Sequence, residues 1–157
     1  MPKITPFIWF DTQAEEAANL YTSIFPNSKI LAIARYGDAG PGPKGSVMTV
    51  QFQLDGQEVI ALNGGPIYKL TEAFSLSVDC KTQEEVDGYW TKLTADGGQE
   101  GPCGWLKDKF GLSWQITPST LGQMLSDKDR KKAARVMEAM MQMKKIDIST
   151  LKRAYEG

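Results

Sequence analysis

Cys103-Gly-Trp-Leu-Lys-Asp-Lys-Phe-Gly-Leu-Ser-Trp-Gln-Ile-Thr-Pro118 is the stretch whose reading decides the fold. Asp108-Lys-Phe-Gly111 has turn chemistry, with glycine where a left-handed backbone costs least. Beyond it the side chains alternate, Leu112, Trp114 and Ile116 on one side and Ser113, Gln115 and Thr117 on the other. A period of two predicts a strand with one dry face and one wet or cavity-lining face. Pro118 has no N–H to donate and ends the ladder. Lys107, Asp108 and Lys109 at the hairpin tip read as a solvated turn, and Cys103 as a packed thiol.

Upstream of this hairpin, Phe74 to Asp79 reads as a strand and Thr82 with Glu85 as a capping box. Val86, Tyr89, Trp90 and Leu93 then form one apolar helical stripe. The same order occurs earlier in the chain. Residues 7–11 read as a strand, Thr12 with Glu15 as a capping box, and Ala17, Leu20, Tyr21 and Ile24 as a stripe. Lys29 to Tyr36 is a further strand, and Asp55-Gly56 joins Val47–Leu54 to Gln57–Asn63 as a hairpin. A shift of 69 residues superposes the two stripes, whereas the two capping boxes stand 70 apart. A duplicated strand–helix–strands unit outweighs any single motif as evidence of fold. One unit alone would leave a sheet face and an edge uncovered, and two can cover each other. The modules span residues 3–65 and 70–120. A helical tail over 124–157 lies outside the repeat, capped at Ser126-Asp-Lys-Asp129 and striped by Ala133, Val136, Met137, Met140 and Met141. Leu151 to Tyr155 forms a short amphipathic segment after it. The tail is expected to pack across the domain or onto a second copy. Gly37 to Gly45 reads as a connector, or alternatively a lid, and lacks the Gly-Lys-Ser/Thr ending of a phosphate loop.

Composition narrows the chemistry. The 157 residues carry a net charge of −1, which gives no global attraction to nucleic acid or an anionic membrane. No apolar run is long enough to span a bilayer, and the first residues lack the apolar centre of a signal peptide. Two cysteines, Cys80 and Cys103, make no disulfide framework, so a reduced cytoplasmic setting is expected. There is no histidine. That removes Ser-His and Cys-His nucleophile pairs and every His-containing metal site. Glu15/Glu16 and Glu84/Glu85 begin helices, where the macrodipole favours them.

Three segments are similar to one family. They are Trp9-Phe-x-x-x-Ala-Glu-Glu-Ala17, Ser75-x-x-x-x-Cys-x-Thr-Gln-Glu-Glu-Val-Asp87 and the late hairpin quoted above. With the Met143-Lys-Lys-Ile-Asp147 tail they resemble the PhnB-like family, also labelled demethylubiquinone methyltransferase-like. It belongs to the vicinal oxygen chelate superfamily of glyoxalases, bleomycin-resistance proteins and extradiol dioxygenases. The resemblance implies an α+β fold of paired βαβββ modules forming a cupped mixed β-sheet, and usually a homodimer. Superfamily enzymes hold a divalent metal with His and Glu side chains, two from each module. On this chain the four slots fall near Pro6, Ala61, Ala73 and Gln115, of which only Gln115 could ligate. One neutral amide cannot compensate the dehydration of a divalent cation, so no metal is expected. No cofactor is expected either, since no glycine-rich strand-to-helix turn for a nucleotide is visible.

The reading that follows is a cytoplasmic, dimeric, metal-independent protein binding a small-molecule ligand. Gln115, Asn63, Ser75, Ser77 and Ser113 would fix the ligand by hydrogen bonds, and Trp105 and Phe10 would supply apolar contact. Two alternatives stay open: an enzyme acting on a small polar or quinone-like substrate, and an interaction protein whose cup is vestigial.

Overall fold

The computed structural model describes residues 3–157. Its elements run β1 (Phe7–Phe10), α1 (Ala14–Ile24), β2 (Lys29–Arg35), β3 (Val47–Leu54), β4 (Gln57–Asn63), β5 (Ser75–Cys80), α2 (Gln83–Thr94), β6 (Gln99–Glu100), β7 (Trp105–Lys107), β8 (Ser113–Pro118), α3 (Ser119–Leu125), α4 (Arg130–Met141) and α5 (Ile148–Glu156). A short 3-10 turn, Ala95–Gly97, follows α2. The chain divides into two units, the first ending at Leu70 and the second beginning at Thr71.

Each unit carries one βαβββ module built on the same plan. The first sheet has the order β1-β4-β3-β2, the second β5-β8-β7-β6. In both, the first strand lies parallel to the last, and the hairpin strands are antiparallel. The helices begin 69 residues apart, at Ala14 and Gln83. In the first unit Ile8, Phe10, Val50, Phe52, Val59 and Ala61 share the helix-bearing face, and Tyr21 of α1 packs its ring 6.3 Å from that of Phe52. In the second, Trp114, Ile116 and Leu106 are buried with Val86, Trp90 and Leu93 of α2. Burying such side chains is worth about 1.5–3 kcal/mol each and is the main force holding each helix to its sheet.

The two helix starts differ. Thr82 accepts from the Glu85 N–H at 3.1 Å, as the capping pattern predicts, and Glu85 returns to the Lys81 N–H at 2.9 Å. The Thr12–Glu15 box does not form. The residue before α1 is Gln13, and its side chain makes no cap. Because the helices repeat at 69 residues and the threonines at 70, Thr12 falls one position too early. Asn63 takes over, its Oδ1 accepting from the Ala14 N–H at 2.8 Å.

The hairpin tip is also not a solvated turn. Asp108 is 3% exposed. Its Oδ1 accepts from the N–H groups of Phe110 (2.9 Å) and Leu112 (3.1 Å), and its Oδ2 from the Trp114 indole (2.9 Å). Gly111 supplies the positive φ of 92° that closes the turn.

The segment 37–45 is held by its neighbours. Gly45 N–H donates to Tyr36 O, and Tyr36 N–H donates to Ser46 O, each at 2.8 Å. Gly40 and Gly42 lie so close to the Tyr36 ring that an added Cβ would stand 2.5 and 2.3 Å from it. These glycines serve close packing rather than free hinge motion.

The tail packs within the second unit. Leu121, Val136, Ile146 and Leu151 form a buried cluster, with Met124, Met140 and Met143 against it. Met137 and Met141, by contrast, are exposed. Cys103 and Gly104 donate their N–H groups to Met143 O and Lys144 O, each at 2.8 Å, which ties the tail to the start of the late hairpin. The helix α3 went unread in the sequence because Ser119-Thr-Leu-Gly-Gln-Met-Leu is too short to show a stripe. No helix of the described residues is long and apolar enough to cross a membrane.

Candidate ligand-binding site

In the second unit, register decides which side chains share the face away from α2. Ser75 stands opposite Ser113, Ser77 opposite Gln115, Trp105 opposite Gln115 and Lys107 opposite Ser113. Directly paired residues point to the same side of a sheet, so five of the seven residues singled out from the sequence lie together with Lys107. Gln115 Nε2 donates to Ser75 Oγ at 3.0 Å, and its Oε1 is an acceptor. Lys107 pairs with Glu72, and this pairing holds the Glu72 carboxyl below its ordinary range. Ser77 is exposed, while Ser113 is 1% exposed and its Oγ has no hydrogen-bond partner. Buried hydroxyls are nearly always paired, so this one marks an incomplete arrangement.

The other two residues stand elsewhere. Phe10 is 3% exposed on the helix-bearing face of the first unit's sheet, where it packs the core rather than offering contact to a ligand. Strand β1 is apolar at every position, so no polar parity revealed which side faces α1. Asn63 shares the helix-side parity of Ala61, opposite to that expected. Its amide is occupied twice over: Oδ1 caps α1, and Nδ2 donates to Val47 O at 3.1 Å. Asn63 O in turn accepts from the Tyr36 hydroxyl at 2.5 Å. These bonds border an open cleft of about 360 Å³ beside Asp11, Glu15 and Pro43.

The aromatic surface of the first unit belongs to residues the sequence reading passed over. Phe7 and Trp9 stand opposite Ile60 and Leu62 on the face away from α1. Trp9 donates its indole N–H to Gly65 O at 2.9 Å, and Tyr68 meets it edge-on with centroids 4.9 Å apart. Parity could have found Trp9, since it alternates with Ile8 and Phe10. Tyr68 follows the Gly64-Gly65-Pro66 break and carries no pattern.

Of the metal slots that the resemblance implied, the one near Ala61 carries only a methyl side chain. Ala61 is wholly buried on the helix side, and its neighbours on the other face are Ile60 and Leu62. Among the described residues no group of three or more Cys, Asp or Glu side chains is placed to hold an ion. The two thiols differ in setting: Cys80 is fully buried, and that burial, with Glu85 and Asp79 nearby, pushes its pKa up to about 12.

Comparison with known proteins agrees with this architecture. The 3-demethylubiquinone-9 3-methyltransferase family model matches residues 2–117, so α3, α4 and α5 lie beyond the matched segment. A PhnB protein from Bacillus cereus is 41% identical over 75% of this chain and 100% of its own, with a TM-score of 0.67. Two structures share the fold at lower identity. Protein PA1353 from Pseudomonas aeruginosa is 19% identical over 75% of this chain and 98% of its own, with a TM-score of 0.62. The fosfomycin resistance protein FosX from Listeria monocytogenes, as a mutant bound to Mn(II) and dihydroxypropylphosphonic acid, is 18% identical over 80% of this chain and 100% of its own, with a TM-score of 0.57. No curated protein matches the chain. The chain belongs to the PhnB-like, 3-demethylubiquinone-9 3-methyltransferase family.

Proposed function

We propose that the protein binds a small polar organic molecule, without a metal, on the face formed by Ser75, Ser77, Trp105, Ser113 and Gln115. One observation carries the reading: the Ser113 hydroxyl is buried without a partner beside the Gln115–Ser75 pair. Leaving such a group unpaired costs about 1–3 kcal/mol, and a ligand acceptor or donor reaching it would recover that energy. Gln115 Oε1 adds an acceptor, and Trp105, its register partner, adds a half-buried apolar surface. Pockets of this kind fix a ligand by a few placed polar groups beside apolar area. FosX is bound to Mn(II) in its complex; the face described here offers amide and hydroxyl groups. The protein is further proposed to work as a cytoplasmic homodimer.

A thermal-shift screen against metabolites tests this, run with and without EDTA. A compound that stabilises the wild type should lose its effect on Gln115→Ala and weaken on Ser113→Ala. Without ligand, Ser113→Ala should be neutral or slightly stabilising, since it removes the orphan hydroxyl. A stoichiometric divalent ion in the purified protein, or a ligand shift abolished by EDTA, would defeat the proposal. Sedimentation at micromolar concentration tests the dimer.

A further inference from the structure

We propose a second binding site, for a phosphorylated small molecule, in the cavity where the N-termini of α2 and α5 meet. The cavity holds about 400 Å³ and is lined by Lys81, Thr82, Gln83, Thr120, Ser149 and Lys152, with Asp147 and Ile148 completing it. It shares no residue with the face described above, and residues 120 and 147–152 lie beyond the segment matched by the family model.

The junction is built and not incidental. Gln83 accepts from the Ile148 N–H at 2.8 Å and donates to Ile146 O at 3.0 Å, so one side chain locks the start of α5 against the start of α2. Thr82 takes only the Glu85 N–H of its helix by side chain, and the Val86 N–H goes to Thr82 O. The N–H groups of Gln83 and Glu84 therefore keep no intrahelical acceptor, as first-turn donors do. Donors of this kind, at the positive end of a 12-residue helix, suit an anion.

Side chains add to this. Lys152 is exposed and has no ion-pair partner among the described residues. Lys81 holds Asp79 at 3.0 Å and Ser119 Oγ at 3.2 Å, which orients its ammonium group. The Thr120 hydroxyl oxygen is buried and has no hydrogen-bond partner. Asp147 is the one carboxylate of the lining. Its Oδ1 is engaged by Ser149 Oγ at 2.7 Å and Thr150 N–H at 3.0 Å, so much of its charge is directed into its own helix start. Two ammonium groups, an open helix start and an unpaired hydroxyl favour a tetrahedral oxyanion. The volume lies in the range of small-molecule pockets, so it admits a phosphate carried on a short organic body.

The test is an amide chemical-shift titration of the full chain with inorganic phosphate and with glycerol 3-phosphate, at ionic strength held constant with NaCl. Saturable shifts are expected at Gln83, Glu84 and Ser149, tighter for the ester than for phosphate. Both lysines are surface groups, so Lys81→Gln and Lys152→Gln should fold. Each should weaken binding by about tenfold, the scale of one charge-assisted hydrogen bond. Absence of saturable shifts at these amides, or unchanged affinity in the double variant, overturns the proposal.

Discussion

Asp108 offers the sharpest test of how the late hairpin is held. Replacing it with Ala removes the acceptor of three donors, the N–H groups of Phe110 and Leu112 and the indole of Trp114. Phe110 N–H is only partly buried and can turn to water. The other two cannot, because Leu112 is 1% and Trp114 2% exposed. Two buried donors left unpaired cost about 2–6 kcal/mol together, at about 1–3 kcal/mol each. Removing the buried carboxylate also removes its desolvation penalty, which offsets part of the loss. A destabilisation of about 3 kcal/mol is expected on that balance. Asp108→Asn keeps one oxygen for the two backbone donors but turns an NH2 group toward the Trp114 indole, so it should lose about half as much. Urea unfolding followed by circular dichroism and tryptophan fluorescence measures both, read as the shift in midpoint at constant slope. A cycle with Trp114→Phe isolates the indole bond, with an expected coupling of about 1–3 kcal/mol. If Asp108→Ala falls within about 0.5 kcal/mol of wild type, as exposed turn residues do, the buried-acceptor account is wrong.

Gly42→Ala would drive a Cβ to 2.3 Å from the Tyr36 ring and should cost about 1–3 kcal/mol, with most of the penalty relieved in a Tyr36→Ala background; additive losses in thermal unfolding would refute the contact. Under native conditions at pH 8, iodoacetamide should modify Cys103 and spare Cys80, whose thiol is pushed up to about 12; two equivalents taken up at one rate would contradict this. Asp79, Asp87 and Asp147 all have carboxyls held below the ordinary 3.8, chiefly by bonds from Lys81, Lys145 and Ser149 respectively. Lowered folded values contribute stability that is present above pH 3.8 and lost as pH falls through them, so the second unit should loosen first on acidification below about pH 4, as read by amide resonances. Asn63→Ala should destabilise the first unit by about 1–2 kcal/mol through the loss of its cap, with Asn63→Asp milder because it keeps the oxygen; calorimetry showing no change would sink that role.

Hydrophobic period made most of this fold legible. Strands β3 and β4 lie where Asp55-Gly56 and the alternation put them, and the 69-residue shift reproduces the spacing of α1 and α2. Parity also grouped Ser75, Ser77, Ser113 and Gln115 correctly, because each has an apolar neighbour one position away. It failed where that contrast vanishes. All of β1 is apolar, so nothing in its pattern shows that Phe10 packs into the core rather than against a ligand. Asn63 ends its strand, and its polarity suggested a ligand contact when it is spent on a helix 49 residues away in sequence. Asp108 misled for a related reason. A charged residue in a turn looks solvated in sequence, and only long-range geometry brings the Trp114 indole onto it. Tertiary hydrogen bonds of this kind leave no periodic trace.

The divergence of the two modules bears on what such a protein can recognise. Where β1 meets β4 the face away from the helix is apolar, with Phe7, Trp9, Ile60 and Leu62 in register. Where β5 meets β8 the corresponding face presents Ser75, Ser77, Ser113 and Gln115. The duplicated plan has kept its helix-side packing, which stability demands of both copies. The opposite faces are free of that demand: in the first unit the aromatic edge at β1 adjoins Thr49, Gln51 and Gln53 of β3, and in the second hydroxyl and amide groups line β5 and β8. On the ligand-binding function proposed above, discrimination would rest on matching buried donors and acceptors, which penalises an analogue lacking one group far more than it rewards added size. On that basis the Ser113 hydroxyl, small and enclosed, would contribute more to selectivity than the larger and better exposed groups around it.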